Sequence, residues 1–313
     1  MVKEFIPKFK FYFFKPKYWG MWLVLLVGAA MAFVPRYIRD PILDSLGGFV
    51  GYFSRNARRR AEINLRYCFP ELNEMQREKI VKKMFSVSLQ SILLTAELAW
   101  LKNRGANKSI VWHNREIIDD LYVAKKNVIF FVPHGFAIDI PGMLMGAEGR
   151  SISIIIRRQS NELVDYVWNK LRRTFGCRIH IRDDGIKPFI YSIRQGSWGY
   201  YLPDQDHGST KSQFVDFFAT YKATLPVLGR LMKACNATIV PLFPVYNGKT
   251  HQLDIFIHPP MNDLMDSDEI TQARRMNEQI ERFIRPNPEQ YNWFLKILKT
   301  RKNNEVDPYK TKK

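Results

Sequence analysis

The sequence predicts an α/β fold: a mostly parallel central sheet flanked by helices, with an N-terminal membrane helix and a helical cap ahead of it. Three observations carry that prediction. Between residues 127 and 283, short apolar runs alternate with helical patterns, as in successive strand–helix–strand units. Residues 74–101 before them place Val81, Phe85, Leu89, Leu93, Ala96 and Trp100 at three- and four-residue steps, the period of one helix face. Residues 18–34 (YWGMWLVLLVGAAMAFV) carry no charge. The chain therefore divides into a basic N-terminus with an anchor helix (1–35), a basic helical cap (36–105), an α/β domain (106–300) and a basic tail (301–313).

The anchor follows from length and flanks. A bilayer needs about 17–25 apolar residues, so the run 18–34 reaches that range at its short limit. Tyr18, Trp19 and Trp22 stand where interfacial aromatics belong, behind Lys3, Lys8, Lys10, Lys15 and Lys17. Two other readings fit the same stretch. Ala30-Met31-Ala32 imitates a signal-peptidase site, although Arg36, Arg39, Arg55, Arg58, Arg59 and Arg60 soon follow and resist translocation. A helix lying in the interface, with basic flanks on the same leaflet, is the other. With an anchor or an interfacial helix, the rest of the chain is cytoplasmic.

Next comes SRNARRRAEINLR, which sets Arg55, Arg58 and Arg59 on one helical face, either as a solvated surface or as a juxtamembrane basic patch. Beyond the CFPE turn at 68–71 and the helix 74–101, strands are predicted at 127–132, 151–156, 178–182, 198–202, 238–245 and 253–258. Helices are predicted near 141–147, 162–174, 187–194, 225–234 and 266–283. RKNNEVDPYKTKK has no apolar period and reads as a loose tail.

Composition narrows function. With 46% hydrophobic and 25% charged residues the chain resembles an ordinary globular protein. Its net charge of +18 does not, and residues 1–66 alone hold 12 basic and 4 acidic side chains, pointing to anionic partners. Three widely spaced cysteines, Cys68, Cys177 and Cys235, offer neither a disulfide framework nor a CxxC zinc site. No HExxH, GxxxxGK[ST], GxGxxG or GxSxG is present, which argues against zincins, P-loop enzymes, dinucleotide enzymes and nucleophile-elbow hydrolases. No cofactor or metal is expected.

The informative stretch is NVIFFVPHGFAIDIPGM. A buried strand ends at Pro133, and His134 emerges at its C-terminal end, where open α/β sheets place ligands. Asp139 lies five residues on, at the start of a helix. Across a tight turn its carboxylate could accept the imidazole N–H and hold the tautomer, making His134 a general base toward a hydroxyl. A satisfied core-edge histidine explains the isolated pair equally well.

Context adds more. HGFAIDIPGMLM, GCRIHIRDDG, WGYYLPDQDHG, FVDFFATYKATLPVLGRLMKAC and IVPLFPVY, in that order, closely resemble the late acyltransferases of lipid A biosynthesis, within the glycerolipid acyltransferase superfamily. The resemblance covers nearly the whole chain, including YWGMW, RRRAEINLRYCFPE and the closing RPNPEQYNWFLKILKTRK. Asp rather than Glu in HGFAID resembles the branch that adds the second secondary chain, usually myristoyl. The resemblance implies transfer of a fatty acyl group from acyl carrier protein to a 3-hydroxyacyl hydroxyl of Kdo-modified, lauroylated lipid IVA, at the bacterial inner membrane. It makes His134 the base and Asp139 its orienting partner. It places an acceptor-phosphate arginine at Arg182, and an active-site arginine at Arg172 or Arg173, of which Arg173 is chosen. Asp204, Gln205 and Asp206, with His207, match an acceptor-placing turn, although plain turn structure and an incomplete metal site also fit. Arg157 and Arg158 gain no role.

Two rivals remain at the level of sequence. A glycerophosphate or lysophospholipid acyltransferase would share His134, Asp139 and Arg182. A non-catalytic basic protein binding anionic lipid or nucleic acid would explain the charge, but no nucleic-acid-binding signature accompanies it, so no nucleic-acid partner is expected.

Overall fold

A computed structural model of the chain describes residues 4–101, 109–302 and 305–310. Helices α1 (Trp19–Ala32), α2 (Arg36–Phe53), α3 (Arg55–Cys68) and α4 (Glu74–Leu101) come first. Then follow β1 (Ile110–His113), α5 (Glu116–Val123), β2 (Asn127–Phe131), α6 (Asp139–Ala147), β3 (Ile152–Ile156), α7 (Glu162–Thr174), β4 (Arg178–Ile181), α8 (Lys187–Arg194) and β5 (Trp198–Tyr201). The hairpin β6 (Gln213–Phe217) and β7 (Thr220–Thr224) precedes α9 (Leu228–Cys235), β8 (Ala237–Asn247), β9 (Gln252–Ile257) and α10 (Glu269–Ile284).

The main sheet has the order β1-β9-β8-β2-β5-β3-β4. Every neighbouring pair is parallel except β8 with β9. A parallel strand covered on both faces must be apolar along its whole length rather than alternating. β2 obeys this: Val128 to Phe131 are all fully buried. One cluster joins sheet residues such as Phe131 and Phe243 to Leu65 of α3 and Met84 of α4, so the helical cap shares the sheet's core.

The predicted strands and helices all appear, with ends within about three residues. The sequence reading missed β1, α5 and the hairpin β6–β7. β1 is four residues long and sits at a sheet edge, and the hairpin turns through Phe218-Ala219 without the usual Asn-Gly signal. Phe218 adopts a φ of 52°, held there by its N–H donating to Glu281 Oε1 at 3.1 Å.

Two expectations are corrected. The anchor helix is only the 14 residues of α1, about 21 Å at 1.5 Å per residue, against roughly 30 Å of hydrocarbon. Among the described residues no helix is long and apolar enough to cross a membrane. Arg36 and Arg39, which looked like free positive charge behind an anchor, instead bind Glu97 of α4. Nor is the described part of the tail loose: Tyr309 is buried, its hydroxyl donates to Asn64 and accepts the Leu298 N–H at 3.1 Å.

Candidate active site

β2 and β5 are parallel neighbours with Phe131 opposite Tyr201, and the Val132 N–H donates to Tyr201 O at 3.0 Å. Counting three residues past each strand puts His134 beside Asp204. There the Asp204 carboxylate accepts twice, from the His134 backbone N–H at 2.7 Å and from the ring Nδ1. Antiparallel contact with the C-terminal segment fixes the same turn from the other side. Gly135 bridges Tyr291, Asn292 N–H donates to His134 O at 2.7 Å, and Phe136 N–H donates to Gln290 O at 3.2 Å. A side chain at Gly135 would stand 2.8 Å from the Phe243 ring, so glycine lets the strand end pass under it.

Burial pushes the Asp204 carboxyl up, but the charge and hydrogen bonds of His134 outweigh it and bring the group to about 2, with Lys222 adding to the effect. Asp204 is thus anionic and can only accept. Nδ1 must carry the ring proton, which leaves Nε2 as the ring's acceptor. That is the tautomer a general base requires. Gln205 Nε2 lies 3.5 Å from His134 Nε2, and Gln205 Oε1 accepts from Arg182 Nη1 at 3.0 Å. Lys222 on β7 is fully buried, its Nζ without a hydrogen-bond partner, and burial drives its ammonium pKa down.

Asp139 departs from the expected role. It begins α6, where the helix dipole favours an anion, but its carboxylate turns to α7 and not to the imidazole. Arg172 donates to it through Nε at 2.7 Å and Nη2 at 3.0 Å, and Trp168 Nε1 donates at 2.7 Å. Trp168 and Arg172 are four residues apart and share one face of α7, whose start is capped by Asn161. Burial pushes the Asp139 carboxyl up, and the Arg172 charge, its hydrogen bonds and Trp168 carry it below the usual carboxylate range.

A cleft of about 400 Å³ runs along this constellation. His134, Asp139, Arg172, Arg182 and Gln205 border it, with Arg157 and His207 on the polar side. Ile138, Ile154, Ile155, Ile156, Leu202, Leu225 and Val227 supply an apolar wall. Of the two adjacent arginines, the cleft is bordered by Arg172 and not by the chosen Arg173, which donates to Glu4 Oε2 at 3.1 Å. Asp206 also lies outside the cleft lining. Its oxygens accept from Thr300 N–H and Oγ1 at 2.7 Å and from Gly208 N–H at 2.9 Å, clamping the turn to the C-terminal segment. Of the aromatic hairpin, Phe217 is fully buried and Phe218 packs on Trp293, so neither faces the cleft. Arg158 is held by Asp165 at 2.6 Å.

The family model for the bacterial lipid A biosynthesis acyltransferases matches residues 6–300. The chain belongs to that family. It is 54% identical over 309 residues, 99% of this chain and 96% of the relative, to the lipid A biosynthesis myristoyltransferase of Escherichia coli K12. A lipid A biosynthesis acyltransferase of Haemophilus influenzae is 42% identical over 95% of this chain and 93% of its own. The lauroyltransferase of Escherichia coli K12 is 30% identical over 95% and 96%. The protein is therefore an acyltransferase of lipid A biosynthesis.

Proposed function

We propose that this acyltransferase moves a myristoyl chain from acyl carrier protein to a 3-hydroxyacyl hydroxyl of Kdo-modified, lauroylated lipid IVA, at the inner face of the bacterial inner membrane. The observation that carries this reading is the Asp204-bound His134, which borders a cleft lined by Arg157, Arg172 and Arg182 together with several isoleucines and leucines. The myristoyl assignment is supported by 54% identity to a myristoyltransferase against 30% to a lauroyltransferase.

Nε2 removes the acceptor hydroxyl proton as that oxygen attacks the thioester carbonyl. The tetrahedral adduct collapses with cleavage of the carbon–sulfur bond, and the departing thiolate takes the proton from the imidazolium. An ester and a free thiol result, with no net proton change. Asp204 stabilises the imidazolium while it exists. Arg182 and Gln205 bind the acceptor, the arginine suiting a sugar phosphate through its fixed fork of donors. Asp139 holds Arg172 in the cleft wall.

The test is mass spectrometry of Kdo-modified lauroyl-lipid IVA incubated with the enzyme and mixed acyl carrier protein thioesters. The expected product gains one myristoyl group, and His134→Ala gives none above background. Transfer to lysophospholipid in place of this acceptor, or undiminished turnover by folded His134→Ala, would overturn the reading.

A further inference from the structure

α3 gathers its charge on one side. Arg55, Arg58, Arg59, Glu62 and Arg66 recur at three- and four-residue steps, while Ile63, Asn64, Leu65 and Cys68 are buried. Together with Glu74, Arg77 and Glu78 at the start of α4, the charged side borders a groove of about 790 Å³, against about 400 Å³ for the cleft at His134. Two of the three glutamates are already answered, because Arg58 donates to Glu62 Oε1 at 2.8 Å and to Glu78 Oε1 at 3.3 Å. Arg77 donates to a backbone carbonyl, that of Leu72, and keeps its charge. Arg55 and Arg66 are exposed and have no partner among the described residues. The groove is cationic, and its free donors point to an anionic occupant.

We propose that this groove docks the acyl carrier protein, with an acidic surface of the carrier lying against α3 and the first turns of α4 while its thioester reaches the cleft. The inference rests on the proposed function for the identity of the donor, and adds where that donor sits. A chain of contacts joins groove to cleft. Tyr67 lines the groove, and Arg301 stands over its ring with Cζ 5.5 Å from the centroid. The neighbouring Thr300 donates to Asp206 at 2.7 Å through both its N–H and its hydroxyl, and His207, next along, lines the cleft. On the inner side of α3, Asn64 donates to Trp293 O at 2.7 Å, one residue from the Asn292 N–H that holds His134 O. A carrier seated on α3 is thus one segment away from the catalytic turn, where a thioester on a flexible arm can enter.

Shape and composition favour a protein over a leaflet. Helices that lie on membranes set apolar anchors among their cations, and α3 exposes no large apolar side chain. A groove accepts a protruding acidic helix and leaves a flat plane of headgroups unmatched. A second copy of the chain would bring two cationic grooves together.

The test measures binding of myristoyl-loaded acyl carrier protein to the full-length enzyme in detergent, without acceptor. Arg55→Glu/Arg66→Glu should weaken binding about tenfold or more at low salt. Arg230→Glu/Lys233→Glu, the same change of charge at exposed positions of α9, should stay within about threefold of wild type. Arg66→Cys labelled with a benzophenone maleimide should capture the carrier on irradiation and Lys233→Cys should not, the native cysteines being buried. Equal losses in the two double variants, unaltered affinity of the groove variant, or no capture from position 66 would overturn the proposal. So would a groove variant that keeps the carrier but no longer floats with anionic vesicles. A wrong acceptor leaves these measurements untouched. Wild type that binds no carrier overturns the donor reading as well, whereas wild-type transfer from the carrier with an unaffected groove variant overturns the docking site alone.

Discussion

Asp204, fully buried, and Asp139, partly buried, both lie near one histidine, yet they do different work because their hydrogen bonds differ. Asp204 is spent on His134, Asp139 on Arg172 and Trp168. Asp204→Asn should therefore disturb the tautomer directly and lower turnover by about 100-fold or more, a loss of the size general-base catalysis supplies. Single-turnover rates would measure it, and near-normal chemistry would contradict the assignment. The same carboxyl predicts a pH effect on stability. It titrates at about 2 in the folded chain against an ordinary 3.8. A depressed acid stabilises the fold above its unfolded pKa and gives that up as pH falls through its folded one. At about 1.4 kcal/mol per unit the contribution is about 2 kcal/mol. The stability gap between wild type and Asp204→Asn should shrink as pH drops from about 4 toward 2, and denaturant melts would show it.

At the scale of elements, α7 decides which of two adjacent arginines matters. Arg172 and Arg173 are indistinguishable as residue types, and only the helix phase separates them: one shares a face with Trp168, the other reaches Glu4. Arg172→Ala should cost activity about tenfold or more by removing a charge-assisted bidentate contact, while Arg173→Ala should stay within about threefold of wild type. Comparable losses in the two variants would refute the assignment. α2 offers a matched pair for stability. A Cβ at Gly47 would lie 2.3 Å from Ser86 Oγ, whereas nothing lies within 4 Å of one at Gly48. Gly47→Ala should destabilise by about 1–3 kcal/mol through overpacking. Gly48→Ala should gain about 0.5–1 kcal/mol from helix propensity. Thermal unfolding of the two variants distinguishes the two effects.

Over the whole molecule the charge of +18 makes its own prediction. An acidic carrier protein would be steered toward a basic surface, and salt screens exposed charges beyond about 8 Å at physiological ionic strength. Raising salt from about 0.05 to about 0.5 M should raise KM for the carrier thioester with little change in kcat. The alternation of apolar runs with helical periods determined the α/β class and most element boundaries, because period and length are local properties of a chain. The strand end at His134 was legible for the same reason, as was the basic, aromatic N-terminus. What lay beyond the sequence was which neighbour each strand takes. β2 pairs with β5, not with β3 that follows it, and that register alone brings Asp204 to His134 across 70 residues. The turn that reads as HxxxxD suggests a local pair, but the short helix α6 aims Asp139 at α7 instead. α1 likewise had the composition of an anchor. Its contacts with α4 and α7 are long-range, and they leave it a surface helix whose apolar side faces outward.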